Sequence, residues 1–296
     1  MFLGIDTSCY TTSVAVLSAS GEVVADKRRF LEVKQGSRGL RQSEGVFQHM
    51  KNLPLLIEEI KEFLPLVKAV AVSSRPRNQE DSYMPVFLAG EGFAKTIAAS
   101  LGVPLVFTDH QNGHIMAAAK SSAFEPGGRF IVIHLSGGTT EILEVCGDKA
   151  EIIGKTLDIP AGQLIDRTGV MCGLKFPCGK EMDSFCAKTD IKLPVSVKNC
   201  DINFSGAEIQ AERLYKSGVA AEEIYSAVFD CIARSLEKAI KNAGDYDVLP
   251  VGGVSSNGRI REHLIKAFGE KVHFAERVYM TDNAVGVAHI CRERHI

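Results

Sequence analysis

The chain has 296 residues, 45% of them hydrophobic and 24% charged, a globular composition that excludes intrinsic disorder and suits two modest domains or one large one. Thirty-four basic against thirty-six acidic side chains give a formal net charge of −2, so no global field draws in nucleic acid or an anionic membrane, and any nucleic-acid contact is expected to be local. Asp6 interrupts what a signal peptide would need, no apolar run nears the roughly 20 residues of a membrane span, and the cytoplasm is the expected location.

In chain order, Phe2-Leu3-Gly4-Ile5-Asp6 reads as a short apolar strand, followed by the polar turn Thr7-Ser8-Cys9-Tyr10-Thr11-Thr12. Val14-Ala15-Val16-Leu17 forms a second strand, and after Gly21 a third runs through Val23-Val24. A helix is expected over Glu44 to Leu64, with Val46, Phe47, Met50, Leu53 and Ile57 at helical spacing, Ser43 as its N-cap, and Pro54 kinking or splitting it. A strand at Val67 to Val72 and a helix from Val86 to Leu101 come next. Asp109-His110-Gln111-Asn112-Gly113-His114 then opens a helix that continues through Ile115-Met116-Ala117-Ala118-Ala119.

Residues 130 to 153 echo the opening pattern. Phe130-Ile131-Val132-Ile133 leads into Ser136-Gly137-Gly138-Thr139-Thr140, then Ile142-Leu143-Glu144-Val145, a turn at Gly147-Asp148, and Glu151-Ile152-Ile153. The longest helical pattern, Ala221 to Ala243, puts Ile224, Val228, Ile232, Leu236 and Ile240 on one stripe and stops at Gly244. A strand at Val248 to Val251 ends in Gly252-Gly253-Val254-Ser255-Ser256-Asn257, and a helix follows from Arg259 to Phe268. Two such halves predict an α/β fold with mixed sheets: duplicated ribonuclease H-like domains in the actin/hexokinase (ASKHA) arrangement, with ligands between the halves. The expected division is 1–108 with 284–296 for the first half, and 109–283 for a second half carrying the histidine pair, Ser136-Gly137-Gly138 and the Gly252 to Asn257 turn.

Residues four apart share a helix face, so His110 and His114 can reach one ion; the plainer alternative is two surface histidines on a helix capped by Asp109. Gln111 stands where a zinc protease of the H-E-x-x-H type needs its glutamate, which disfavours that activity. Ser136-Gly137-Gly138-Thr139-Thr140 follows a strand and offers backbone N–H groups and hydroxyls to phosphate oxygens, though it matches neither a Walker A loop nor G-x-G-x-x-G. Asp6-Thr7-Ser8 is its counterpart in the first half, and Asp6 is expected to be catalytic. Gly252-Gly253 through Asn257 joins close backbone approach to a helix N-terminus, while Asp282 is either an N-cap or a ligand and Asp166 either a ligand or a partner of Arg167. None of the eight cysteines forms a C-x-x-C pair, so they read as reduced thiols; Cys172, Cys178 and Cys186 crowd one region without being counted as a site.

Taken in order, these motifs resemble the tRNA threonylcarbamoyladenosine synthase catalytic-subunit family, formerly called glycoproteases. The matching residues are Asp6-Thr7-Ser8-Cys9, His110-x-x-Gly113-His114, Ser136-Gly137-Gly138, Asp166 with Gly179, Phe204-Ser205-Gly206, Gly252-Gly253-Val254-Ser255-x-Asn257, and Thr281-Asp282-Asn283. The resemblance implies one divalent metal, iron or zinc, on His110, His114 and Asp282. It also implies ATP or an acyl- or carbamoyl-adenylate, with phosphate at Ser136 to Gly138 and adenosine near Asp166, Gly179, Gly253 and Asn257. The family's chemistry passes threonylcarbamoyl from the adenylate to the N6 amine of a tRNA adenine, so an adenine nucleotide is the expected partner and tRNA a candidate acceptor. A homodimer or a heteromer with a related ASKHA subunit is the candidate assembly.

The chain departs from the family pattern at Tyr10 and Thr11, where an acidic pair is usual, and at Thr139, where a histidine follows Ser-Gly-Gly. Arg75-Pro76-Arg77 replaces a Gly-Pro-Gly turn, and Phe47 replaces an arginine two residues before His49. Metal and nucleotide binding are expected to survive in what reads as a divergent paralogue, with the acceptor left open. Arg75 and Arg77, with Lys34, Arg38 and Arg41, form either a basic surface for an anionic substrate or a solvated loop. Two alternatives stand beside the transferase reading: an ASKHA-type ATPase or small-molecule kinase, against which the histidine pair speaks because such sites hold Mg²⁺ through carboxylates and water, and a non-catalytic partner subunit.

Overall fold

The opening apolar run folds into three antiparallel strands, β1 (Phe2–Ser8), β2 (Thr11–Leu17) and β3 (Val23–Phe30), as its patterning predicts. The computed structural model describes residues 1–8, 10–33, 40–78, 81–122, 124–125, 128–147 and 149–295. After β3 come α1 (Gln42–Glu59), β4 (Ala69–Ser73), α2 (Phe87–Leu101), β5 (Leu105–Thr108) and α3 (His110–Ser121). β1, β4 and β5 run parallel, giving a five-stranded mixed sheet in the order β3-β2-β1-β4-β5. β1, β2 and β4 are buried along their whole length, which is why they read as apolar runs more than as alternating strands.

Two local expectations for α1 are corrected. Its N-cap is Arg41, without a side-chain bond, and not Ser43: Gly45 N donates to Arg41 O at 3.0 Å, and the Gln42 side chain accepts from Val86 N, so the first turn is set two residues early. Phe47 and Met50 are exposed, while Gly45, His49, Leu53 and Leu56 face the core. The buried stripe is displaced because its middle is a polar residue, His49, whose Nδ1 lies 2.8 Å from Thr12 Oγ1. Pro54 does not split the helix, which runs through it, and a 3₁₀ turn at Lys61–Leu66 takes the last residues up to Pro65 and beyond.

The second sheet repeats the meander with β6 (Arg129–Leu135), β7 (Thr140–Cys146) and β8 (Lys149–Lys155). The chain continues through α4 (Ala161–Met171), α5 (Gly179–Ser184), β9 (Ser196–Lys198), β10 (Asp201–Asn203), α6 (Ser205–Lys216) and α7 (Ala221–Ala243). β11 (Val248–Val251) then joins parallel to β6, giving the order β11-β6-β7-β8, and α8 (Gly258–Phe268) follows. An isolated parallel bridge from Val248 to Val272 stands where the first sheet has β5. The predicted stripe of α7, Ile224, Val228, Ile232, Leu236 and Ile240, lies in the core of this unit. Each unit is thus a ribonuclease H-like meander with parallel strands added at one side.

The last helix, α9 (Val285–His295), returns to the first sheet. The compact units are Met1–Ala123 with Thr281–Ile296, and Phe124–Met280. The division therefore differs from the one expected at residues 108 and 283: α3 and Asp282 belong with the first unit, because α3 packs on α9 and α9 packs on β1. Glycines make this approach close. A Cβ on Gly4 would fall 2.5 Å from Ala284 O and Ala288 N, and one on Gly286 would fall 1.8 Å from Gly113 O. Among the described residues, no helix is long and apolar enough to cross a membrane.

His289 is only 7% exposed on α9, and its Nδ1 has no hydrogen-bond partner. Burial pushes its pKa down to about 4, with Lys120 and Arg292 pushing the same way and Glu293 opposing them. Because the folded pKa lies below the unfolded one, protons bind the unfolded chain first. Stability is intact above about pH 6.5 and falls as pH drops towards about 4, by roughly 3 kcal/mol from this residue. Urea unfolding at pH 7.5 and pH 4.5 should show that loss in the natural chain and a smaller one in His289→Gln.

Candidate functional site

In the first unit, the carboxyl ends of parallel strands β1, β4 and β5 assemble Asp6, Ser73 and the start of α3, the usual position for ligands on such sheets. Asp109 caps α3: Oδ1 accepts from Asn112 N at 2.9 Å and Oδ2 from Asn112 Nδ2 at 2.6 Å. The Arg75 and Pro76 carbonyls accept from His110 N and Gln111 N at 2.9 and 3.0 Å, satisfying two further first-turn amides. The capped helix presents His110 and His114 inward, with His114 buried, so the surface-histidine alternative does not hold.

Asp282 arrives from the loop before α9. Asn283 takes the capping role there, its Oδ1 accepting from Val285 N at 3.0 Å, which leaves the Asp282 carboxylate free of the helix end. Its Oδ1 lies 3.2 Å from His114 Nε2 and 3.5 Å from His110 Nε2, and the two Nε2 atoms are 3.0 Å apart. The ligand atoms of His110, His114 and Asp282 all fall within 4.8 Å of one another. Two imidazoles and one carboxylate form a donor set suited to zinc, iron or manganese, whose bonds to such atoms are about 2 Å long. The donors therefore fit the metal that the motifs imply.

Asp6 stands behind the pair, fully buried. His110 Nδ1 lies 3.0 Å from its Oδ1, Ser73 Oγ donates to the same oxygen, and Ser8 N donates to Oδ2 at 3.3 Å. Burial works to raise the Asp6 pKa, but the His110 charge and these donors win and hold it below the usual carboxylate range. Burial likewise works against a charged His110, yet Asp6 and Asp282 raise its pKa well above the ordinary value. Asp282 is held well below its ordinary range, the two histidines overcoming its burial. With both oxygens engaged and no exposed surface, Asp6 does not suit the catalytic contact expected of it; it reaches the site through His110.

In the second unit, Ser136-Gly137-Gly138-Thr139 turns between β6 and β7. Ser136 N donates to Thr139 O at 2.9 Å and Thr139 N to Ser136 Oγ at 3.0 Å. The Gly137 and Gly138 residues are exposed, with open space where a Cβ would stand. α4 begins against this loop: Ala161 N donates to Thr140 Oγ1, and a Cβ on Gly162 would lie 2.5 Å from Gly137 Cα and Ser136 O. The same helix carries Asp166, whose Oδ1 accepts from Cys178 N at 2.8 Å and so ties it to Gly179, the first residue of α5. Burial raises the Asp166 pKa against that bond. Asp166 does not pair with Arg167, which instead meets Glu208 and Gln163.

Gly252 has φ of +89°, and a Cβ there would collide with Leu135 O at 2.3 Å; Gly253 has open space, so the steric demand falls on the first glycine of the pair. Asn257 caps α8, its Oδ1 accepting from Ile260 N at 3.0 Å, while its buried Nδ2 has no partner. Asp183 on α5 accepts from Gly258 N at 3.3 Å, linking the Gly179 helix to the Asn257 turn. Gly162 and Asp183 escape the sequence reading: the first is an ordinary helical glycine by pattern, and the second matters only through a bond between distant segments. Cys178 belongs to this packing, its thiol pushed up to about 11 by burial, and the histidine–aspartate group is the one metal-type cluster among the described residues. Cys9, Lys34 and Arg38 lie outside the described residues, and Arg75 Nη2 is bonded to Asn78 Oδ1.

The topology of the two units defines a protein of the actin and hexokinase class of fold, and a solved structure of full-length HypF in its phosphate- and nucleotide-bound form agrees, with TM-score 0.65 at 14% identity over 98% of this chain and 46% of that one. The family model for tRNA N6-adenosine threonylcarbamoyltransferase matches residues 47–289, and the chain belongs to that family of transferases. The tRNA N6-adenosine threonylcarbamoyltransferase of Thermotoga neapolitana is 31% identical over 97% of this chain and 91% of its own. A probable bifunctional tRNA threonylcarbamoyladenosine biosynthesis protein of Methanococcus vannielii is 28% identical over 97% of this chain, which spans only 52% of that relative.

Proposed function

We propose that the chain transfers a threonylcarbamoyl-type group from an adenylate to an amine, with the N6 amine of a tRNA adenine as the acceptor. One observation carries this reading: two imidazole nitrogens and a carboxylate oxygen converge within 4.8 Å in a member of this family. In the step, the bond from the carbamoyl carbon to the phosphate oxygen breaks, the amine nitrogen bonds to that carbon and loses a proton, and AMP leaves. A divalent ion on His110, His114 and Asp282 would orient and polarise the mixed anhydride. The Gly137 and Gly138 amides would donate to the departing phosphate, where preorganised donors lower the barrier most. The unpaired Nδ2 of Asn257 would meet an acceptor on the adenosine, with Asp166, Gly179 and Gly253 in the same subsite.

Purified protein supplied with synthetic threonylcarbamoyl-adenylate and unmodified tRNA should release AMP and yield threonylcarbamoyladenosine, read by nucleoside mass spectrometry. AMP release without the modified nucleoside would overturn the tRNA acceptor, and phosphate release from ATP without any carbamoyl donor would favour a phosphotransferase. Asn257→Ala should weaken adenine-nucleotide binding about tenfold in calorimetry, the worth of a good hydrogen bond to a buried donor. An unchanged dissociation constant would remove Asn257 from the subsite.

A further inference from the structure

The face of the first sheet that carries Asp6 ends in a row of hydroxyls. Ser13 pairs with Asp6 across β2 and β1, Val72 pairs with Ile5 so that Ser73 stands beside Asp6, and Thr108 pairs with Ser73 across β5 and β4. β4 reads Ala-Val-Ala-Val-Ser, buried throughout, so an apolar residue would continue it more cheaply than a serine. Ser73 Oγ has one use there, its bond to Asp6 Oδ1. That same oxygen meets His110 Nδ1 at 3.0 Å, and Oδ2 is taken by Ser8 N.

We propose that Ser73 is a positioning residue for His110: by holding the Asp6 carboxylate in one orientation, it keeps the Nδ1 proton of His110 on the Asp6 side and so reserves Nε2 for a metal. An ionised carboxylate only accepts hydrogen bonds, so the ring must donate from Nδ1. Asp282 Oδ1, 3.5 Å from Nε2, offers a competing acceptor on the other edge of the ring. Without Ser73, the Asp6 side chain has freedom to turn, its grip on Nδ1 weakens, and the His110 ring is no longer held in one orientation. Residues that orient ligating histidines typically change metal affinity by about 10–100-fold when removed. The metal part of this inference rests on the ligand set proposed above, whereas the orientation of the ring does not.

The test uses the full chain with Ser73→Ala and Ser73→Thr. The first readout is zinc affinity by chelator competition, and the second is the protected His110 Nδ1–H signal in ¹H–¹⁵N spectra of metal-free protein. Ser73→Ala should bind zinc about tenfold more weakly and lose the protected ring proton, while Ser73→Thr, which keeps the hydroxyl, should retain both. A Ser73→Ala protein with natural affinity and an unchanged ring signal would overturn the proposal. So would a threonine variant as impaired as the alanine one, since that pattern means packing and not the hydroxyl. If the natural chain binds no zinc, the ligand set fails, and the ring signal alone still decides whether Ser73 orients His110.

Discussion

His110→Ala with His114→Ala should abolish divalent-ion binding and lower threonylcarbamoyl transfer to below about a thousandth, since the orientation and polarisation proposed for the ion would both be lost. The helix should persist, because alanine favours it and Asp109 still caps it. Stability should fall somewhat, for Asp6 and Asp282 lose their imidazole partners, and a buried charge without its partner is costly. His114→Ala alone separates these effects, as it leaves the Asp6 and His110 pair intact. Metal analysis, transfer rate and melting temperature should be measured on the same preparations. Full transfer by the double variant would end the metal-dependent reading.

Gly286→Ala should be the most destabilising single methyl in the first unit. The added Cβ would overlap Gly113 O at 1.8 Å and press on Ala117 N at 2.7 Å, both backbone atoms of α3 that have no rotamer to change. Overpacking of this kind costs about 1–3 kcal/mol where side chains can yield, and a backbone clash belongs at or above the top of that range. α9 would have to move off α3, carrying Asp282 away from His110 and His114. The variant should therefore lose metal along with stability, read by chelator competition and urea unfolding. Gly253→Ala, with open space around its Cβ, should leave unfolding unchanged. Equal stability of the two variants would contradict the close packing of α9 against α3.

The histidine pair and its cap were legible because they depend only on geometry within one helical turn, where spacing in sequence is spacing in space. The long stripe of α7 was legible for the same reason. What escaped depends on partners far along the chain. The Asp6 and Ser73 bond spans strands whose alignment follows from sheet order, and the Asp183 bond to Gly258 joins two helices that no local pattern pairs. The buried face of α1 was misread because His49 is a polar residue satisfied in the core, while Phe47 is 59% exposed. The expected boundary near residue 108 fell short because a run of alanines in α3 does not reveal which sheet it covers.

The return of Thr281–Ile296 to the first unit also governs the order in which the protein can assemble. As a nascent chain, the first sheet has its β strands before Phe124–Met280 is made, yet the helix that covers Gly4 and supports α3 comes afterwards. At ~5–20 residues per second, synthesis of the intervening unit keeps that apolar face waiting for on the order of ten seconds or more. A ribosome-held chain should thus expose a sticky sheet and a histidine pair still lacking Asp282, completing both in a single late event when α9 docks.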